Sequence, residues 1–164
     1  MPTEIERKFL VVSASWKSAE PGGPPAIPIR QGYLSIDPER VVRVRVAGDR
    51  AFLTVKGRAA AAAAAPAVRA EFEYPIPRAD ADALLAHCLQ PLIVKRRHQL
   101  THRGAHWVVD EFEGANAGLV MAEIELDHAD QPIELPDWAG AEVTADPRYQ
   151  NSSLVQHPFR EWSR

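Results

Sequence analysis

Fourteen charged side chains recur at alternate positions along this chain. Seven are cationic: Lys8, Arg43, Arg45, Lys56, Arg69, Lys95 and Arg97. Seven are acidic: Glu4, Glu6, Glu71, Glu73, Asp110, Glu123 and Glu125. Six of the acids form three acid-x-acid pairs, Glu4/Glu6, Glu71/Glu73 and Glu123/Glu125. Alternate residues of a β-strand face the same side, so each pair sets two carboxylates about 7 Å apart along one face. Several such pairs brought together suit a hard cation, which prefers oxygen ligands. Arginine and lysine beside them suit a polyanion, phosphate above all, because guanidinium grips two oxygens at once. Carboxylates for a divalent metal and cations for phosphate make one coherent site.

A single strand of this kind is ordinary. It is the solvated face of an antiparallel sheet, with ion pairs across the strands. Seven such strands, their faces nearly all charge, ask for a common interior. A sheet closed with its charged faces inward would focus those charges on a bound ligand.

The stretches that must position these residues read as strands at 4–12, 29–36, 41–47, 51–57, 68–76, 92–100, 106–112 and 119–126. Val42, Val44 and Val46 alternate with Arg43 and Arg45, and Ala122, Ile124 and Leu126 alternate with Glu123 and Glu125. The apolar sides are therefore expected to face outward. Asp37-Pro38-Glu39-Arg40, Gly48-Asp49, His102-Arg103-Gly104 and Asn116-Ala117-Gly118 read as turns between them. The clearest helix spans 79–89, with Asp80 and Asp82 in its first turn and Leu84, Leu85, Cys88 and Leu89 as an apolar stripe. A helical turn near Trp16 and a short helix at 151–156 complete the inventory. The alanine run 59–65 is too short to be a stable helix alone and reads as a hairpin tip or insertion. So few helices leave apolar strand surface to cover, which favours a homodimer.

Length and composition agree with one domain over residues 1–164. Hydrophobic residues make up 46% and charged residues 25%, ordinary for a globular protein. A net charge of −3 gives no sign of a nucleic-acid partner. No membrane-spanning run or signal-peptide pattern is present, so the cytoplasm is the default location. Cys88 is the only cysteine, which excludes an internal disulfide and thiolate zinc sites. His98, His102 and His106 are spaced for one helix face, but Gly104 and the strand pattern of Trp107-Val108-Val109 argue against a helix there. A glycine-rich phosphate loop and a serine nucleophile elbow are both absent.

The stretch Glu4-Ile5-Glu6-Arg7-Lys8-Phe9-Leu10 is followed in order by Gln31-Gly32-Tyr33-Leu34, Val42-Arg43-Val44-Arg45 and Leu53-Thr54-Val55-Lys56-Gly57. Glu71-Phe72-Glu73-Tyr74, Lys95-Arg96-Arg97, Trp107-Val108-Val109-Asp110, Ala122-Glu123-Ile124-Glu125-Leu126, Glu142-Val143-Thr144 and Arg148-Tyr149-Gln150-Asn151 complete the series. With this ordered set the sequence resembles the CYTH superfamily, the triphosphate tunnel metalloenzymes, and most of all its small single-domain bacterial branch. The resemblance implies a mainly β (α+β) fold, an eight-stranded antiparallel closed or nearly closed barrel forming a tunnel, with a few flanking helices. It implies hydrolysis of a linear triphosphate with Mg²⁺ or Mn²⁺. It matches Lys8, Arg43, Arg45, Lys56, Lys95 and Arg97 to the family's phosphate-binding cations, and Arg69 joins their faces. Glu4, Glu6, Glu123 and Glu125 match its metal-binding and water-organising acids, with Glu71, Glu73 and Asp110 in support. Two departures stand out: the alanine run where relatives often turn on glycine, and Val108 where relatives frequently carry an acid.

By parity Phe52 and Phe112 fall on the charged faces, while Phe9, Phe72, Tyr74 and Trp107 fall on the apolar side. A base or thiazole ring would find little to stack on, so inorganic tripolyphosphate is the expected substrate, with pyrophosphate and phosphate as products. The alternatives are a thiamine triphosphatase or class IV-type adenylate cyclase in the same tunnel, or a non-catalytic polyphosphate-binding module.

Overall fold

The computed structural model describes residues 3–59 and 67–163. Its strands are β1 (Thr3–Val11), β2 (Ile27–Ser35), β3 (Arg40–Ala47), β4 (Arg50–Ala59), β5 (Ala67–Pro75), β6 (Ile93–His102), β7 (Ala105–Phe112), β8 (Val120–Glu125) and β9 (Ala139–Glu142). Helix α1 (Arg78–Leu85) follows β5 and helix α2 (Asn151–Gln156) follows β9. Past Ala59 the alanine run lies outside the described residues. None of the described helices is long and apolar enough to cross a membrane.

The strands pair in the order β5-β4-β3-β2-β6-β7-β8-β1, and β1 returns to β5, so eight strands close into an antiparallel barrel. Strand β1 is the closure. One edge binds β8; the other binds β5 near its start and β9 near its end. Directly paired residues share a face. Glu4 lies opposite Arg69, Glu6 opposite Glu125, Lys8 opposite Glu123, Lys56 opposite Glu71, and Arg45 opposite Gln31. The charged faces therefore point to the interior, as the alternation predicts.

The outward faces are covered largely by the chain itself. Phe9, Trp107, Val109, Ala122 and Ile124 pack under Trp16 and Trp138, which stand on the segments after β1 and before β9. Val44, Val46 and Ala51 pack under Ala81, Leu85 and Cys88. Gly32 lets this second cover approach β2, since a Cβ there would lie 2.6 Å from the Cβ of Cys88. Leu34 and Tyr74 remain exposed on the outside.

The third cluster lies inside. Tyr33, Val41, Ile93, Phe112 and Met121 share the inward face with the charges but pack against Leu154 and Val155 of α2. Helix α2 thus plugs one end of the barrel instead of covering its exterior.

Candidate active site

A cavity of about 710 Å³ occupies the barrel interior. All of the fourteen predicted residues except Asp110 line it. Asp110 sits behind the wall, 1% exposed. Its carboxylate accepts hydrogen bonds from Lys95 Nζ at 2.7 Å and from Arg97 Nε and Nη2 at 2.8 and 2.9 Å. Burial pushes this carboxyl up, but Lys95 and Arg97 outweigh it and hold it well below the usual carboxylate range.

Most lining charges are paired across strands. Lys56 Nζ lies 2.7 Å from Glu4 and 3.5 Å from Glu71. Lys8 Nζ lies 3.2 Å from Glu6 and 3.7 Å from Glu123. Burial pulls the Lys8 ammonium down, yet Glu6, Glu123 and Glu4 more than offset it and hold it above its ordinary value. Thr144 Oγ1 accepts from the Lys8 backbone N–H at 2.9 Å, which ties β1 to the segment after β9. Arg43 donates to Thr54 and Glu73, and Arg97 reaches Glu123 at 3.7 Å.

Three lining residues depart from this pattern. Among the described residues, Arg45 and Arg69 have no carboxylate in salt-bridge distance, and Glu125 has no cation. Burial, then Arg43 and Arg97, push Arg45 down to about 9, which leaves it charged at neutral pH. The buried Nε atoms of Arg43 and Arg69 have no hydrogen-bond partner. The guanidinium groups of Arg45 and Arg69, lining the cavity without a carboxylate partner, attract an anion. Glu125 shows the opposite imbalance. Burial, then Glu4 and Glu6, push its pKa up from the ordinary glutamate value, so a cation there would relieve the repulsion.

The donor set suits a hard cation: oxygen only, at Glu4, Glu6, Glu123 and Glu125. Among the described residues no three acidic, histidine or cysteine side chains are already gathered as a ligand set. Lysines stand among the acids instead. A metal at this wall would take one or two carboxylates and fill its shell with water and substrate oxygens, the usual manner of Mg²⁺.

The histidines take no part as a cluster. His98 bonds Glu111 at 2.9 Å and packs on Trp16 at 4.7 Å, away from the cavity. Residues that charge alternation does not flag also line the cavity, among them Tyr33, Gln99, His106, Val108, Thr144 and Asn151. Val108 stands directly opposite Glu123, so the wall has an uncharged position beside an acid.

A family model of the CYTH domain matches residues 2–158. The chain belongs to the CYTH domain family. Within it, the chain is 44% identical over 163 residues to an inorganic triphosphatase of Acetivibrio thermocellus, covering 99% of both proteins. A crystallised inorganic triphosphatase superposes with a TM-score of 0.64 at 32% identity, over 94% of this chain and 95% of that one. A Pyrococcus furiosus protein superposes with a TM-score of 0.59 at 18% identity, over 77% and 80% of the two chains, and shares the fold.

Proposed function

We propose that this CYTH protein hydrolyses inorganic tripolyphosphate to pyrophosphate and phosphate, with Mg²⁺ or Mn²⁺. The observation that carries the reading is the division of the cavity's unpaired charge, with Arg45 and Arg69 free for phosphate and Glu125 free for a metal. Similarity to the Acetivibrio thermocellus inorganic triphosphatase supports the same substrate.

Phosphoryl transfer needs little covalent work from a protein, so positioning and charge stabilisation dominate. Glu123 and Glu125 would hold the divalent ion, which would supply positive charge to offset that of the phosphates. Arg43, Arg45, Arg69 and Lys56 hold the remaining phosphates. Glu4 and Glu6, two residues apart on β1, would orient a water toward the terminal phosphorus. Lys8, anchored between Glu6 and Glu123, fixes the spacing of those carboxylates. Asp110 acts from behind the wall, holding Lys95 and Arg97 in place.

Substrate choice follows from the wall. Phe112 lies in the plug beneath Lys95, and neither it nor Phe52 reaches the cavity. Of the lining rings among the described residues, Tyr33 is buried and His106 is open, so an organic group gains little stacking surface and replaces a charged phosphate end, forfeiting roughly 1.5–3 kcal/mol of charge-assisted bonding. Tripolyphosphate should therefore exceed ATP and thiamine triphosphate in kcat/KM by roughly 10- to 100-fold. Steady-state phosphate release under saturating Mg²⁺ checks this; equal values would mean that the mouth recognises more than phosphate.

The raised Glu125 carboxyl also sets a pH dependence. Protons and metal compete for it, so activity falls as pH drops through a value above the ordinary glutamate range. Raising the metal concentration should move this acid limb to lower pH. A limb that stays fixed from limiting to saturating metal would place the titrating group elsewhere.

A further inference from the structure

Gln31 carries no charge and is 0% exposed, yet it sits in the middle of the cationic wall. Its Oε1 accepts from Arg45 Nε at 2.8 Å. Its Nε2 donates to Tyr33 Oη at 3.0 Å and to Asn151 Oδ1 at 3.2 Å. Asn151, the first residue of α2, accepts at the same oxygen from Lys95 Nζ at 3.0 Å. The orientation of both amides follows from their neighbours. Arginine and lysine only donate, so the atoms that face Arg45 and Lys95 must be oxygens. Gln31 is then left with its NH₂ toward Asn151 and Tyr33, where it finds acceptors. The amide pair is satisfied in one arrangement only.

Arg45 is thus fixed by a neutral partner, whereas Lys8, Arg43, Lys56, Lys95 and Arg97 are each fixed by a carboxylate. A glutamate in place of Gln31 would reach the same Nε with a side chain of the same length and cancel the charge. We propose that Gln31, braced by Asn151 of the plug helix, is the positioning residue that orients Arg45 without neutralising it, so that the guanidinium keeps its full charge for a terminal phosphate of the substrate. The inference rests on the tripolyphosphate reading above and adds a residue that acts through Arg45. It also gives α2 a second role. The helix closes the barrel with Leu154 and Val155, and through Asn151 and Gln31 it sets the guanidinium that the terminal phosphate meets.

A purely structural role and this one predict opposite orders for two substitutions. Gln31→Met keeps the volume, loses the hydrogen bonds and leaves Arg45 charged. Gln31→Glu keeps the bond to Arg45, gains an ion pair and removes the free charge. The full chain would be titrated with tripolyphosphate in EDTA by calorimetry, then assayed for KM and kcat with Mg²⁺, with melting temperatures alongside. The expected result is about tenfold weaker binding for Gln31→Met and about 100-fold weaker for Gln31→Glu, from one lost hydrogen bond to a charged group against a cancelled charge. The loss should fall mainly on KM, and Gln31→Glu should melt no lower than Gln31→Met. Binding by Gln31→Glu that equals wild type, or exceeds Gln31→Met, overturns the proposal. Should Gln31→Glu not fold, the Met variant still decides: weakened binding with kcat retained supports the proposal, and unchanged binding overturns it. A wild-type chain that fails to bind tripolyphosphate sinks the functional reading and this inference with it. Wild-type binding with Gln31→Glu unimpaired sinks the inference alone.

Discussion

Glu125→Gln should leave the barrel folded and lower turnover by about 100-fold at limiting metal, a loss on the scale of a crippled metal site. Glutamine keeps the size of the side chain and creates no cavity, so packing is unchanged. What disappears is the one lining carboxylate with no cation partner among the described residues. The same change should not lower the melting temperature. Burial and the neighbouring Glu4 and Glu6 raise the folded-state pKa of Glu125. A raised acid binds its proton more tightly in the folded state, so stability falls as pH rises through the folded pKa. The ionised form is the one the site disfavours, and a neutral glutamine removes that penalty. Lower activity with equal or higher stability is the signature of a functional charge. Arg45→Ala should behave differently, raising KM through a lost charge-assisted contact. Full turnover by Glu125→Gln at limiting metal would contradict the assignment.

Asp110→Asn should cause the largest loss of stability of any single charge removal in the barrel. Lys95 and Asp110 are each 1% exposed, and Arg97 adds a second cation to the same carboxylate. Removing one partner of a buried pair leaves the other charge uncompensated, at a cost of about 3–5 kcal/mol. Here Lys95 would be left without a carboxylate, and Arg97 would keep only Glu123 at 3.7 Å. For a chain of this size each kcal/mol moves Tm by roughly 2–4 °C. The sign with pH is the reverse of that for Glu125. The folded Asp110 carboxyl is depressed, so its contribution is present above the unfolded value near ~3.9 and is lost as pH falls through the folded value. Wild type and Asp110→Asn should therefore converge in stability on acidification. Urea midpoints at neutral pH check the main effect. A difference under about 0.5 kcal/mol would be that of an ordinary surface site, and the carboxylate would then not anchor the wall.

Asp110 also marks what sequence alternation conveys and what it hides. Parity places it on the inward face, and the register confirms that face: it lies opposite Arg97 and Met121. Parity does not distinguish a side chain that reaches the lumen from one sealed beneath its neighbours, because depth along the barrel depends on the plug. The plug itself was half legible. Residues 151–156 read as a short helix and form one, but Leu154 and Val155 carry no periodic signal that assigns them to the interior. Seven of the eight barrel strands were legible because charges recur on their inward faces, while β2 was read from its apolar run and the turn that follows it. Strand β9 was not, since Ala-Gly-Ala-Glu has weak β propensity and is held by its pairing with Phe9 and Val11. Helix α1 ends at Leu85, short of the expected 89. The backbone N–H groups of His87 and Cys88 bond three residues back, to Leu84 and Leu85, and that of Leu89 turns to the Tyr33 carbonyl of β2. Gln31 and Asn151 stand in segments that carry the resemblance but were given no site role, because neutral amides give no charge pattern and their pairing depends on a contact 120 residues apart.

The central claim is that the two signs of charge in the barrel act together, one set on phosphate and one on metal. Phosphorus NMR of tripolyphosphate incubated with the full chain tests it most directly, in Mg²⁺, in Mn²⁺ and in excess EDTA. The account predicts one phosphate and one pyrophosphate for each tripolyphosphate consumed, with either metal and not in EDTA. Unchanged tripolyphosphate in both metals, or equal cleavage in EDTA, would contradict it.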